Sequence, residues 1–150
     1  MTEAARAREI AEAVGVGMFE RDRTAKKLGI GLVSIAPGEA VMTMTVADDM
    51  VNGHDICHGG LTFTLADTCF AYACNSRNRI SLAQTASISF IRAARKGDML
   101  TATGRAAHQG GRSGIYDISV TDQEGRLIAL FRGNSRTIEG EVVEGLGREP

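Results

Sequence analysis

The sequence predicts an α+β fold in which one long central helix is wrapped by an antiparallel sheet of about six strands. Three observations lead there. The twenty-one-residue stretch from Ile56 to Ser76, ICHGGLTFTLADTCFAYACNS, holds a single Asp, Glu, Lys or Arg, which is Asp67. Beyond its glycines this stretch has helical length, and its apolar residues (Leu61, Phe63, Leu65, Ala66, Cys69, Phe70) fall all round the helical wheel; a helix apolar on every side is normally buried. Nearly everything after it alternates with period two, as strands half-buried against a core do. Such a helix cannot rest on a flat sheet with its back to water. The strands must curl round it, or a second subunit must cover it.

The elements follow in order. Ala4 to about Gly15 carries helical spacing (Ala5, Ile10, Ala13, Val14), and a second short helix is expected over Phe19 to Leu28, closed by Gly29. From Ile30 the period becomes two: IGLVSIA, a Pro37-Gly38 turn and EAVMTMTV make a β-hairpin. A loop from Ala47 to His58, with Asn52-Gly53 as a turn signal, opens through Gly59-Gly60 into the apolar helix. Leu82 to Arg92 then alternates Ala86, Ile88 and Phe90 against Thr85, Ser87 and Ser89. Lys96-Gly97-Asp98 turns the chain into Met99 to His108, Gln109-Gly110-Gly111 into Ser113 to Thr121, and Gln123-Glu124-Gly125 into Leu127 to Ile138. Short loops between consecutive strands predict an antiparallel meander. The chain thus divides into an N-terminal helical segment (1–28), the wrapped domain (29–139) and a flexible tail (140–150).

At 150 residues the chain is the size of one domain with its own core. With 17 basic and 18 acidic residues the net charge is −1, which gives no field for nucleic acid or an anionic membrane. The first residues, MTEAARAREI, are charged where a signal peptide is apolar, and no apolar run approaches the roughly 18 residues of a membrane span. A soluble, cytoplasmic protein is expected. Cys57, Cys69 and Cys74 form no C-x-x-C pair, and free thiols fit a reducing compartment. His54, Cys57 and His58 offer metal-ligand types within five residues. No fourth ligand is evident, and His-x-x-x-His needs a helix where this segment opens with a turn. No metal site is expected.

Burying an unpaired carboxylate costs several kcal/mol, so Asp67 needs a partner, a proton or a catalytic task. The residues alone leave two readings open: a hydrogen-bond network with Thr64, Thr68 or an arginine, and catalysis. Asn52 reads as an Asn-Gly turn residue, and His58 as a side chain satisfying nearby backbone. Phe63, Phe70 and Tyr72 are core residues first, and one of them is a candidate for lining a ligand pocket. His54 and His108 read as surface residues.

Taken in order, Asn52, His58-Gly59-Gly60, Leu65-Ala66-Asp67-Thr68 and Ala71-Tyr72-Ala73-Cys74-Asn75-Ser76, after a hairpin and before four strands, resemble the hotdog-fold thioesterases, specifically the PaaI subfamily of phenylacetate catabolism. Motif order and spacing match from about Ile30 to Ile138. The resemblance implies a hotdog fold, a dimer pairing two sheets, commonly a homotetramer of two such dimers, and an acyl-CoA substrate hydrolysed without metal or cofactor. Aryl or (hydroxy)phenylacetyl groups are favoured. It also implies that Asp67 drives attack on the thioester carbonyl, as nucleophile or as base for water. By the same resemblance the Gly59 N–H polarises that carbonyl, Asn52 helps to hold the attacking water or carboxylate, and His58 orients the loop.

Elementary physics bears on these assignments. A thioester carbonyl becomes an oxyanion when attacked, and the first turn of a helix offers unpaired N–H groups at the positive end of its dipole. Gly59 and Gly60, lacking a Cβ, let an acyl group approach the backbone, which makes Gly60 a candidate for substrate binding; Thr68, next to Asp67 in the motif that carries the resemblance, is another. Gly59 and Asp67 are eight residues apart, about 12 Å along one helix. A single carbonyl cannot touch both. Antiparallel helices across a twofold axis would set Asp67 of one chain beside Gly59 of the other, giving two composite sites per dimer. For the phosphates of coenzyme A the candidates are Arg92, Arg95 and Lys96 at one strand end and Arg112 in the GGRSG turn. Two other functions fit the fold: hydration of enoyl-CoA, with His58 recruited beside Asp67, and non-catalytic acyl-CoA sensing. The loop-and-helix pattern argues against the first, and the intact Asp67 against the second.

Overall fold

A computed structural model describes residues 1–148. Helix α1 (Glu3–Arg21) begins at Thr2, whose Oγ1 accepts from the Ala5 N–H at 3.1 Å. It runs through Gly15, where the sequence pattern suggested a stop. The glycine serves a close approach instead: a Cβ there would lie 2.9 Å from Ile35 Cγ2, so its absence lets α1 pack on the first strand. Helix α2 (Arg23–Leu28) starts later than expected, because Asp22 breaks the helix and caps it, accepting from the Ala25 N–H at 3.0 Å. Gly29 closes α2 with a φ of 69°.

Strands β1 (Gly31–Ala36) and β2 (Glu39–Thr45) form the expected hairpin, and helix α3 (Gly59–Asn75) the expected central helix. After it come β3 (Ser81–Phe90), β4 (Met99–Gly110), β5 (Ser113–Thr121) and β6 (Leu127–Thr137). The six strands form one antiparallel sheet in the order β1-β2-β4-β5-β6-β3.

That order corrects the expected four-strand meander. β3 pairs with β6, while β4 lies between β2 and β5. The Lys96-Gly97-Asp98 turn exists, with the Gly97 N–H donating to Val46 O at 2.8 Å, but the chain has already crossed the sheet end when it reaches it. Ile91 N–H donates to Ile128 O and Cys57 N–H to Ala94 O, both at 2.8 Å, so residues 91–98 run from β6 past the start of α3 to β2. Three strand spacings are about 14 Å, and eight residues span that easily. The crossover lets strands cover α3 from both sides.

The inner face of the sheet and α3 share one core. Leu65, Phe70 and Tyr72 of α3, Met42 and Met44 of β2, Leu100 of β4 and Tyr116 of β5 are fully buried; each such side chain contributes roughly 1.5–3 kcal/mol. Phe70 packs against Tyr116 and Phe131 with ring centroids 5.8 Å away in each case. On β6, Gly133 makes room for that ring, since a Cβ there would lie 2.7 Å from it.

After β6, the segment expected to be loose packs beside α1 and the α3–β3 loop. Asn78 Nδ2 donates to Val143 O and Gly147 O, and Arg6 Nη2 to Leu146 O. Glu149 and Pro150, the end of that segment, lie outside the described residues. Among the described residues no helix is long and apolar enough to cross a membrane.

Candidate active site

The start of α3 is built from three segments. The loop over residues 51–57 closes on itself through a Val51–Cys57 bridge and is stitched to the β3–β4 crossover by an Ile56–Arg95 bridge. Asn52 organises that loop: its Oδ1 accepts from the His54 N–H at 2.9 Å and the Ile56 N–H at 3.2 Å. The carbonyl end of the amide is thereby occupied, which leaves the Nδ2 donor for a ligand. His58 is the N-cap of α3, with Nδ1 accepting from the Gly60 N–H at 3.1 Å and its own N–H donating to Met50 O at 2.8 Å. Its ring nitrogen thus holds an amide of its own helix.

Gly59 follows as the first helical residue, and its N–H has no protein acceptor among the described residues. It is one of the orphan donors that every helix start carries, and it opens on a cavity of about 350 Å³. Asn52, Thr62, Phe90, Arg92 and Ile128 line the same cavity. A donor, an amide and a guanidinium therefore converge on one space walled mostly by apolar side chains.

Asp67 sits two turns further along α3, outside that cavity. The expectation of a helix buried on every side is corrected here. Leu65, Ala66, Cys69, Phe70, Tyr72 and Ala73 are buried, but Gly60 is exposed and Phe63, Thr64, Asp67, Thr68 and Ala71 are only half-covered. Those residues form one stripe at helical spacing, with Asp67 near its centre. The strands of one chain curl round α3 without closing over it. Thr64 and Thr68 direct their hydroxyls back to Gly60 O (2.8 Å) and Thr64 O (2.7 Å), so neither donates to Asp67. Among the described residues Asp67 makes no side-chain hydrogen bond and no ion pair. Partial burial alone raises its proton affinity above the ordinary carboxylate value. The hydrogen-bond network weighed for Asp67 from the sequence is absent among these residues.

The other candidates scatter. Arg92 reaches the Gly59 cavity; Arg95 is exposed, its N–H donating to Asp98 Oδ2; Lys96 pairs with Asp48 at 2.9 Å on the surface. Arg112 lies at the far end of β4, roughly 35 Å from Lys96 at 3.4 Å per residue. One chain cannot present all four cations to one nucleotide. His54 and His58 are exposed while Cys57 is buried, and among the described residues no three His, Cys, Asp or Glu side chains gather as metal ligands. Phe70 and Tyr72 belong to the core, the Tyr72 hydroxyl donating to Asp22 Oδ2, and Phe63 packs edge-on against Phe131 at 5.3 Å. The aromatic residue beside Gly59 is Phe90, which the period-two pattern places only in phase with Ala86 and Ile88.

A sheet wrapped round one helix, with an open amide at the helix start and an acid on its uncovered face, defines the class. The chain belongs to the thioesterase superfamily, whose family model matches residues 54–129, and it has the hotdog fold of that family. Over 125 residues it is 50% identical to the acyl-coenzyme A thioesterase PaaI of Escherichia coli K12, covering 83% of this chain and 89% of that protein. The solved structure of the E. coli PaaI protein from the phenylacetic acid degradation operon superposes with a TM-score of 0.88 at 47% identity, over 89% of this chain and 97% of that one. A hypothetical thioesterase protein with coenzyme A from Streptococcus pneumoniae TIGR4 superposes with a TM-score of 0.78 at 25% identity, over 83% and 98% of the two chains.

Proposed function

We propose that this protein hydrolyses acyl-CoA thioesters to the free acid and coenzyme A, with aryl or (hydroxy)phenylacetyl groups preferred, at a site completed by a second copy of the chain. The observation that carries this reading is Asp67: an acid without a protein partner among the described residues, its proton affinity raised, on the one stripe of α3 that its own sheet leaves open. Besides Phe63 the stripe is small residues, which lets another helix come close. β3 supplies a second support, being a free sheet edge of ten residues with no charge and no proline. Such an edge is a template for another strand. Two chains joined edge to edge along β3 bring their α3 helices together antiparallel. Gly59 and Asp67 have Phe63 as their midpoint, so a twofold axis at that level sets Asp67 opposite Gly59 of the partner subunit.

The chemistry follows from that arrangement. The Gly59 N–H binds the thioester oxygen, and the positive end of the α3 dipole favours the charge that develops there. Asp67 attacks the carbonyl carbon, or takes a proton from a water that does. The oxyanion then collapses, the C–S bond breaks and the coenzyme A thiolate leaves. On the water route the acid is released directly and the proton held by Asp67 passes to the thiolate; on the nucleophilic route a water hydrolyses the acyl–Asp67 anhydride, releasing the free acid, restoring the carboxylate and supplying the thiolate's proton. Asn52 Nδ2 holds the attacking group, His58 keeps the helix start in place, and Gly60 and Thr68 flank the substrate. Of the four candidate cations, Arg92 is the one that lines the cavity at Gly59. The relatives named acyl-coenzyme A thioesterase and crystallised with coenzyme A support the substrate class.

The test is release of free thiol from phenylacetyl-, hydroxyphenylacetyl-, benzoyl- and medium-chain acyl-CoA. Turnover with thiol release is expected. Loss of enoyl absorbance from an enoyl-CoA without thiol would establish a hydratase, and tight binding without either reaction a sensor.

A further inference from the structure

Phe90 ends β3 opposite Ala129 of β6, on the inward phase, yet 56% of it is exposed. It stands apart from the other rings. Phe63 and Phe70 pack against aromatic neighbours, whereas Phe90 makes no ring pair among the described residues. The strand outruns the core, and the ring overhangs the start of α3. A Cβ built on Gly59 would lie 2.9 Å from Phe90 Cζ and 3.2 Å from Cε1. Removing that one bond puts the ring within about 4.5 Å of the Gly59 Cα.

That distance fixes what Phe90 touches. A thioester oxygen accepting from the Gly59 N–H sits about 2.9 Å from the nitrogen, so the groups on its carbonyl carbon arrive in van der Waals reach of the ring. Ile56, Ile91 and Ile128 continue the wall beyond it. We propose that Phe90 determines acyl specificity, its ring packing against the acyl group and favouring aryl over alkyl chains. The inference rests on the thioesterase reading of the site and names the residue that selects within it. Ring–ring contacts in offset or edge-on geometry are worth roughly two- to twelvefold beyond the area they bury.

The experiment compares kcat/KM for phenylacetyl-CoA and hexanoyl-CoA, by thiol release, in the wild type and in Phe90→Ala, Phe90→Leu and Phe90→Tyr. In the Ala and Leu variants the phenylacetyl-to-hexanoyl ratio should fall roughly two- to twelvefold, and Phe90→Tyr should restore it. Phe90→Leu keeps apolar bulk at the strand end, so the comparison survives if Phe90→Ala fails to fold. A ratio that stays constant, or an equal loss on both substrates, overturns the assignment. Failure of the wild type to release thiol from any acyl-CoA instead rejects the thioesterase reading, a distinct outcome.

Discussion

Gly59 and Asp67 stand two turns apart on the single unbroken helix α3, about 12 Å from each other. A carbonyl bonded to one amide is therefore out of reach of the same chain's carboxylate, and the proposed site needs two subunits. Complementation tests this directly. Asp67→Ala should lose about 10²–10⁴-fold in activity, and Gly59→Pro should also be inactive. Co-expressed in equal amounts, the two chains form half mixed dimers, each with one intact site of two. About a quarter of wild-type activity should return. No recovery would place the whole site in one chain.

Gly59 combines two properties that substitution can separate. As the first helical residue it tolerates proline, whose missing N–H costs the helix nothing there. His58, at φ −58° and ψ 129°, already has the backbone that precedes a proline comfortably. Gly59→Ala and Gly59→Pro add the same Cβ toward Phe90, but only proline removes the donor. The Pro variant should fall about 10²–10³-fold below the Ala variant in kcat, with similar thermal stability. Equal kcat values would show that the amide plays no part.

The half-burial of Asp67 has a consequence for stability. Burial raises its pKa above the ordinary 3.8 in the folded chain, so the folded chain binds the proton more tightly than the unfolded one. The stability linked to that proton is fully present below the ordinary value and is lost as pH rises through the raised one. Asp67→Asn cannot titrate. It should melt above the wild type at pH 7, with the gap narrowing as pH falls toward 3.8, while activity is abolished. This is the pattern of a residue kept for function at a cost in stability. Melting curves of the two proteins at pH 3.5 and pH 7 measure it, and a gap independent of pH would show that Asp67 ionises as freely folded as unfolded.

Much of this was legible in the sequence because it is written locally. Gly29, Pro37-Gly38 and Gln123-Glu124-Gly125 mark turns by their own backbone needs, and the all-round apolar wheel of 61–74 could only be a central helix. Asp67 stood out because nothing else charged shares its helix. What escaped prediction depends on partners distant in sequence. No residue near β3 encodes that its neighbour is β6, and the Lys96-Gly97-Asp98 turn looks the same whether the chain doubles back or has already crossed the sheet. Gly15 reads as a helix stop until Ile35 is placed against it. Period two put Phe90 in phase with Ala86 and Ile88 but did not give the length by which β3 outruns the core, so its place over Gly59 was invisible. Nor does the sequence show that Lys96 is paired with Asp48.

Asn78 ties the segment after β6 to the domain. It is fully buried, and its φ of 62° lies in the left-handed region, unusual for a residue other than glycine. Its side chain donates to Val143 O at 3.1 Å and Gly147 O at 2.7 Å, and accepts from the Val143 N–H at 2.8 Å. Asn78→Ala loses all three bonds and keeps the unfavourable φ, for a destabilisation of about 3–5 kcal/mol. Asn78→Gly loses the bonds but relieves the backbone, so its cost should be smaller by about 1–2 kcal/mol. Denaturant unfolding of the two variants separates bonding from strain. Hydrogen exchange at the Val143 amide gives an independent reading: protection in the wild type and its loss in both variants are expected, whereas exchange at the free-peptide rate in the wild type would mean that Asn78 holds nothing.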